Sequence, residues 1–268
     1  MNLIKYEENG KVGTVTLNND RQRNALSLEL IRELDAELTK IGNERKINVV
    51  VIQAEGKIFS SGHNLREIDG APEEEVANLF AECQALMETI RKIPQVVISK
   101  VHDIATAAGA QLVAASDLAI ASDNAKFATP GTLIGLFCHT PAVFVSRNLD
   151  RKKAAELLFT GDFISAEEAK IHGLINRVVP QDQLDAETEK FSKSVARHSL
   201  AVLEAGKKQL YTQLQINNDF DALTYSSEVM VKNSQKQDAV EGIRAFLEKR
   251  PAQWSDRNEK TVKGETVQ

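Results

Sequence analysis

Cysteine, histidine and tryptophan are scarce in this chain of 268 residues, which contains two Cys, five His and one Trp. Two cysteines, Cys83 and Cys138, do not make a disulfide framework, and this usage is typical of a reducing compartment. The histidines show none of the paired spacings of a metal site. We therefore expect neither structural disulfides nor a bound metal.

Long apolar runs and an excess of positive charge are also missing. No run approaches the roughly 20 apolar residues that span a membrane, and the amino terminus resembles neither a signal peptide nor a transit peptide. The formal net charge is −5, which argues against a broad nucleic-acid-binding surface. We expect a soluble, cytoplasmic protein with no nucleic-acid or membrane partner, in which any anionic ligand meets a local cluster of Lys and Arg.

What the chain does contain is an alternation of strand-like and helix-like segments. Asn9-Gly10 predicts a hairpin turn, Ser27 is expected to cap a helix, and residues 72–92 carry one apolar stripe that we assign to the core. The wholly apolar run 49–52 is typical of a strand buried on both faces. This alternation predicts a right-handed α/β core. The strand candidates are 3–7, 12–17, 49–52, 96–101 and 118–120.

The later part of the chain is mainly helical. Ser165 and Glu168 form a capping-box pattern, and Gly173 is a stop signal. We place a boundary near residue 195, with an α/β body at 1–195 and a helical module at 196–268 that packs on the body or on a neighbouring subunit. The helix candidates are 150–159, 165–172, 182–197, 200–215, 218–233 and 238–249.

Two small-residue turns, each after a predicted strand, are the candidate site. In Phe59-Ser-Ser-Gly-His-Asn-Leu65 the glycine permits a tight turn and a close approach of backbone to ligand; a plain strand-to-helix connection is the alternative. In Asp103-Ile-Ala-Thr-Ala-Ala-Gly-Ala-Gln-Leu112 a helix is expected to start near Ala108, with free N–H groups at its positive end. Such donors suit a developing oxyanion, because a single preorganised donor can stabilise the transition state by roughly 3–4 kcal/mol. Close helix–sheet packing is the alternative.

These two turns, together with Asp20-Arg-Gln-Arg-Asn-Ala-Leu26 and Phe127-Ala-Thr-Pro130, resemble the crotonase (enoyl-CoA hydratase/isomerase) superfamily. The resemblance extends from about residue 3 to 254 and is greatest to the enoyl-CoA hydratase domain-containing group, which carries a Phe-Ser-Ser-Gly-His turn. It implies a crotonase-like ββα spiral core followed by a helical trimerisation module. It also implies an acyl-CoA substrate or ligand with no further cofactor, and a homotrimer or a dimer of trimers.

The resemblance also implies roles for individual residues. The backbone N–H groups of His63 and Ala108 would form an oxyanion hole, a pair of donors that holds the thioester oxygen. Five residues would contact CoA, although each of the charged ones also fits a solvated surface position. These five are Arg21, Arg23, Ser61, Leu65 and Lys249.

The chain departs from the family at both catalytic glutamates. Gln111 stands at one position and Gly131 at the other, and neither side chain can exchange a proton near neutral pH. Since a general acid or base is typically worth 10²–10⁴-fold, ordinary hydration is doubtful. Gly131 leaves room for a bound anion, as in the dihydroxynaphthoyl-CoA synthases of this superfamily, which fill a similar gap with bicarbonate.

Three functions remain open on this basis. The first is an acyl-CoA enzyme of the hydratase/isomerase class that uses a different proton carrier or a water held by Gln111. The second is a non-catalytic acyl-CoA-binding or regulatory homologue. The third is thioester hydrolysis through Cys138, with His139 as the neighbouring base.

Overall fold

Nine strands form two sheets within residues 2–255, the part of the chain that the computed structural model describes. Asn9-Gly10 makes the predicted hairpin, with Gly10 at φ +61°. The strands are β1 (Ile4–Asn9), β2 (Val12–Leu17), β3 (Val49–Ala54), β4 (Val96–Val101), β5 (Ala105–Thr106), β6 (Leu118–Ser122), β7 (Lys126–Ala128), β8 (Ile164–Ser165) and β9 (Arg177–Val179).

The larger sheet has the order β1-β2-β3-β4-β6-β9, and all its pairs except the β1–β2 hairpin are parallel. The smaller sheet has the order β5-β7-β8, and its first strand, β5, follows β4 directly in the chain. Because the carboxyl ends of parallel strands meet at one edge of a sheet, the loops after β3 and β4 are brought together there.

Ten helices connect and cover the strands over the same described residues. Ser27 caps the first by accepting a hydrogen bond from the backbone of Leu30, and Ser165 forms the predicted capping box with Glu168. The helices are α1 (Leu28–Glu44), α2 (Glu73–Lys92), α3 (Ala108–Ala115), α4 (His139–Asn148), α5 (Arg151–Thr160), α6 (Ala166–Ile171), α7 (Leu184–Ala196), α8 (Leu200–Gln213), α9 (Asp219–Ser234) and α10 (Gln237–Leu247).

The large sheet is buried on both faces, as the apolar run 49–52 predicts. Alternate residues of a strand point to opposite faces, and in β3 Val50 and Ile52 join the main core with α1 and α2. Val49 and Val51 join a second cluster that includes Phe191 of α7. The α/β core expected from the sequence is therefore confirmed.

The carboxyl-terminal helices pack on this body through α8. The ammonium of the buried Lys207 donates to the backbone oxygens of Ile90 (2.7 Å) and Gln95 (2.9 Å). Beyond α8, large apolar side chains of α9 and α10 are exposed, among them Phe220 at 79% and Phe246 at 83%. The domain boundary near 195 stays a prediction, and residues 256–268 of the predicted helical module lie outside the described residues.

Five elements were not foreseen from the sequence: β5, β7, β8, β9 and α4. The four strands have two or three residues each, too few to show a periodicity, and Pro141 in the first turn of α4 obscures its start although proline is tolerated there. One assignment was also wrong, because Phe80 of the α2 stripe is only half-buried and faces a cleft instead of the core. No helix among the described residues has the length and apolar character needed to cross a membrane.

Candidate active site

The two small-residue turns are in direct contact. A Cβ placed on Gly62 would lie 2.7 Å from the Cβ of Ala107 and 3.1 Å from the backbone nitrogen of Ala108. Gly62 also has φ +88°, a conformation that side chains disfavour. Glycine is therefore required at this position both for space and for its backbone.

A short ladder of backbone hydrogen bonds aligns the two turns. Ser60 pairs with Ala105 as an isolated parallel bridge. The N–H of Phe59 donates to the oxygen of Ile104 (2.9 Å), and the N–H of Thr106 donates to the oxygen of Ser60 (3.0 Å). The segment before Gly62 and the segment before α3 thus form one rigid unit.

Asn24 fastens a third segment to this unit. It is fully buried, and its side-chain amide donates to the backbone oxygens of Glu55 (2.8 Å) and Ile58 (3.0 Å). Its own backbone oxygen accepts from the Ser60 hydroxyl at 2.8 Å. Sequence reasoning missed this residue, although Asn is among the few side chains that tolerate its left-handed φ of +49°.

The backbone N–H groups of His63 and Ala108 are unpaired, since neither donates to another group of residues 2–255. Ala108 is the first residue of α3, so its N–H lies at the positive end of the helix dipole. Ala107 before it has φ +50° and ψ −119°. Such strained backbone costs about 1–3 kcal/mol and is concentrated at functional sites.

A cleft of about 900 Å³ opens at these two N–H groups. This volume is within the usual range for small-molecule sites, roughly 300–1,000 Å³. The cleft brings together most of the residues that the sequence singled out, while Arg23, Gln111 and Lys249 do not line it. The predicted residues in its wall are Arg21, Ser61, His63, Leu65, Ala108, Gly131, Cys138 and His139.

The His63 ring is buried at the cleft wall. Its Nδ1 lies 3.3 Å from the backbone oxygen of Leu26, and the ring makes an edge contact with Phe80, with 5.1 Å between the centroids. Burial lowers the pKa of His63, which disfavours the charged imidazolium. The side chain packs at the cleft wall, and the role of the backbone N–H in binding a ligand stays a prediction.

Gly131 is enclosed by the loop that follows it. A Cβ at this position would lie 1.9 Å from the backbone oxygen of Leu136 and 2.9 Å from the Cys138 sulfur. The N–H of Leu136 donates to the Gly131 oxygen at 2.9 Å, which holds the loop in place. Protein atoms therefore fill the place of a side chain at Gly131, while the residue still lines the cleft; an anion bound there stays a prediction.

Cys138 and His139 have different surroundings although they are neighbours. Cys138 is buried, and that burial raises the pKa of its thiol. His139 begins α4, is exposed, and has its ring edge against Phe137 with 5.1 Å between the centroids. Since a reactive cysteine needs a lowered pKa, the geometry disfavours Cys138 as a nucleophile.

Gln111 lies on α3 one helical turn after Ala108. It is 3% exposed, and its amide oxygen forms no hydrogen bond with the described residues. It lines a second cavity, of about 1,110 Å³, that shares Phe80 and Thr140 with the cleft. The two cavities are therefore adjacent, and α3 passes from one to the other.

The cationic residues are distributed unequally around the cleft. Arg21 and Arg66 line it, and Arg66 was missed because nothing in its sequence context distinguishes it from a surface residue. The Arg23 side chain is exposed away from the wall, while its backbone oxygen accepts from the N–H of Ser61 at 3.1 Å. Lys249 is exposed beyond α10. It does not line the cleft of its own chain, so its predicted contact with CoA is not seen there.

Comparison with known proteins agrees with this arrangement. The family model described as enoyl-CoA hydratase/isomerase matches residues 7–257. Enoyl-CoA hydratase domain-containing protein 3, mitochondrial, from mouse is 44% identical over 254 residues, covering 94% of this chain and 84% of the relative. The human protein of that name is 42% identical over 246 residues, covering 91% and 80%. The compartment in these names is that of the relatives, and a cytoplasmic location for this chain stays a prediction.

Solved structures show the same fold. An enoyl-CoA hydratase from Mycobacterium smegmatis superposes with a TM-score of 0.91 at 40% identity, covering 95% of this chain and 99% of the other. Human enoyl coenzyme A hydratase domain-containing protein 3 gives 0.92 at 40% identity, covering 94% and 100%. The predicted crotonase-like fold is confirmed, and the chain belongs to the enoyl-CoA hydratase/isomerase family.

Proposed function

We propose that the cleft binds an acyl-CoA thioester whose carbonyl oxygen accepts hydrogen bonds from the N–H groups of His63 and Ala108. The observation that supports this proposal is the contact between the Gly62 and Ala107 turns, since the residue after each of these two, His63 and Ala108, has a backbone N–H that is unpaired within residues 2–255. Donors fixed in this way stabilise negative charge on the thioester oxygen without reorganisation. Arg21 and Arg66 at the cleft are suited to the phosphates of CoA.

The chemistry expected at this site is polarisation of the thioester with weak proton transfer. A carbonyl held between two N–H donors acidifies its α-carbon and activates a conjugated β-carbon toward water. Neither Gln111 nor Gly131 can carry the proton that hydration or isomerisation requires. We therefore expect the protein to bind enoyl-CoA thioesters well and to hydrate them slowly.

A variant with one restored carboxylate tests the proposal. Gln111→Glu places an acid one turn after Ala108, in a buried position that would raise its pKa toward the range of a general acid. Calorimetry should show crotonyl-CoA binding to the wild type and to a Gln111→Met control. Hydration, followed as loss of the enoyl absorbance, should increase about tenfold or more only in Gln111→Glu. If no CoA thioester binds to the wild type, the proposal fails.

A non-catalytic acyl-CoA-binding protein is the second candidate. It is favoured by the packing at Gly131, where Leu136 occupies the place of the second carboxylate. It predicts binding without consumption of any thioester in a broad acyl-CoA panel. Hydrolysis through Cys138 predicts an acyl-enzyme adduct by mass spectrometry, which the raised pKa of the thiol disfavours.

We further propose that the helical module mediates self-association. The exposed Phe220, Met230 and Phe246 lie on α9 and α10, and apolar surface of this kind marks interaction sites. Analytical ultracentrifugation should give the mass of a trimer or a dimer of trimers. A monomer at micromolar concentration would contradict this proposal without affecting the proposed thioester site.

A further inference from the structure

The second cavity, formed between α2, α4 and α8, combines apolar and cationic walls. Phe80, Met87, Val143 and Phe144 supply apolar surface. Its lining also contains five cationic and two acidic side chains, in a protein whose net charge is −5. A cavity of this composition suits a ligand with an aliphatic part and a negative charge.

Several of these charges are already paired. Lys92 forms an ion pair with Glu88 (2.5 Å), and Glu204 is paired with Arg45 (2.7 Å). Lys207 forms a buried ion pair with Asp117 (2.7 Å). The cations of the lining that form no ion pair with the described residues are Arg91, Arg147 and Lys208.

Arg91 is the most constrained of these three cations. Its guanidinium lies over the Tyr211 ring, 4.0 Å from the centroid, and donates to the backbone oxygen of Ala114 at 3.0 Å. Its Nε is buried and has no hydrogen-bond partner among the described residues. The guanidinium is thus held at the carboxyl-terminal end of α3 without a carboxylate.

The nearby carboxylate, Asp117, cannot supply the missing negative charge. Its Oδ2 accepts from Lys207 and from the N–H of Val97 (2.8 Å), and its Oδ1 accepts from the Tyr211 hydroxyl (2.7 Å). Asp117 is thus occupied by Lys207, Val97 and Tyr211. Arg91 is therefore the cation of this group that has no carboxylate partner among the described residues.

Helix α3 connects this charge to the proposed oxyanion hole. Ala108 stands at its first residue, Gln111 one turn later with an unpartnered buried amide oxygen, and Ala114 six residues after Ala108. That interval is about 9 Å along the helix axis. The thioester oxygen lies about 3 Å before the Ala108 N–H, and the guanidinium lies 3.0 Å from the Ala114 oxygen, so the two are about 15 Å apart. A hydrogen bond between the carboxylate and the guanidinium takes up about 3 Å of this distance, and an extended chain of about ten carbons spans the remaining 12 Å or so.

We propose that the second cavity holds the acyl group of the thioester and that Arg91 binds a carboxylate at its far end. The preferred ligands are then CoA monothioesters of dicarboxylic acids with about ten carbons. This inference rests on the proposed function, since it requires the thioester to occupy the cleft. It adds the class of acyl group to that function.

Calorimetry with matched pairs of ligands tests the inference on the wild-type chain. Sebacoyl-CoA should bind about tenfold more tightly than decanoyl-CoA, because it adds a charge-assisted hydrogen bond. Among adipoyl-, sebacoyl- and tetradecanedioyl-CoA, the sebacoyl thioester should bind best. If sebacoyl- and decanoyl-CoA bind equally, the inference fails while the proposed function stands. If neither thioester binds, both fail.

Variants at two cations of the cavity provide the control. Arg91→Met should abolish the preference for sebacoyl-CoA over decanoyl-CoA while the affinity for decanoyl-CoA is retained, and Arg91→Lys should keep much of the preference. Lys92→Met, which removes a cation already paired with Glu88, should leave it intact. A purely structural role of Arg91 at the end of α3 predicts a lower melting temperature with unchanged selectivity, which would overturn the inference. Free sebacate that competes as well as sebacoyl-CoA would overturn it too.

Discussion

Replacing Gly131 with alanine tests the packing of the loop that closes over it. The new Cβ would lie 1.9 Å from the Leu136 oxygen, whereas ordinary contacts begin at 3.4 Å. The loop must therefore move by about 1.5 Å, and the hydrogen bond from Leu136 to Gly131 is lost. We expect a cost of about 1 kcal/mol for that bond and about 1–3 kcal/mol for the forced shift.

Gly135 in the same loop gives a matched control. It has φ +75°, and a Cβ added to it would meet no atom within 4 Å, so Gly135→Ala costs only backbone strain, about 1–2 kcal/mol. Gly131 has no positive φ and so suffers only the clash. Urea unfolding, read by circular dichroism, should give a loss of about 2–4 kcal/mol for Gly131→Ala. A smaller loss than for Gly135→Ala would refute this account of the loop.

The same packing has a functional consequence for Gly131→Glu. A glutamate cannot enter without displacing Leu136 and Cys138, which both line the cleft. We therefore expect this substitution to weaken crotonyl-CoA binding and to add no hydratase activity. A gain of hydration in Gly131→Glu alone would show that the loop opens readily.

Three further outcomes are expected. Gly62→Ala places a methyl group 3.1 Å from the Ala108 nitrogen, so calorimetry should show about a tenfold loss of CoA-thioester affinity; an unchanged affinity would contradict the assigned oxyanion hole. Because burial raises the pKa of the Cys138 thiol, iodoacetamide should react with Cys138 more slowly than it reacts with the thiol of glutathione at pH 7. Rapid labelling of Cys138, detected by mass spectrometry, would refute its burial. Burial lowers the pKa of His63, so the unfolded chain, with a pKa of about 6.5, binds more protons than the folded chain as pH falls below that value. The free energy of unfolding should then decrease by at most about 1.4 kcal/mol for each unit by which the pH falls. A His63→Asn variant with the same pH dependence would show that His63 is not the cause.

Much of the fold follows from local sequence patterns. The start of α3 near Ala108, the cap at Ser27 and the doubly buried strand β3 each depend on a few neighbouring residues. Such features are set by hydrogen bonding and side-chain periodicity within one element. They could therefore be predicted without knowing which elements pack together.

The parts of the site that sequence patterns did not reveal depend on contacts between distant segments. The Leu136 oxygen beside Gly131, the amide of Asn24 across two loops, and Phe80 against His63 are all tertiary contacts. Gln111 lies one turn after Ala108 in α3, but the cavity it faces is decided by how α2 and α4 pack on α3. Periodicity within α3 carries no information about those neighbours.

The fastening of the cleft by Asn24 and Ser60 has a consequence for folding. The hydrogen bonds of these two residues join segments 31 to 36 positions apart, and Thr106 extends the chain of contacts to α3. Contacts of such separation form only when the sheet that carries them has assembled. The N–H groups of this unit should therefore exchange with solvent deuterium only through opening of the whole core, which makes the cleft one of the last parts of the protein to open.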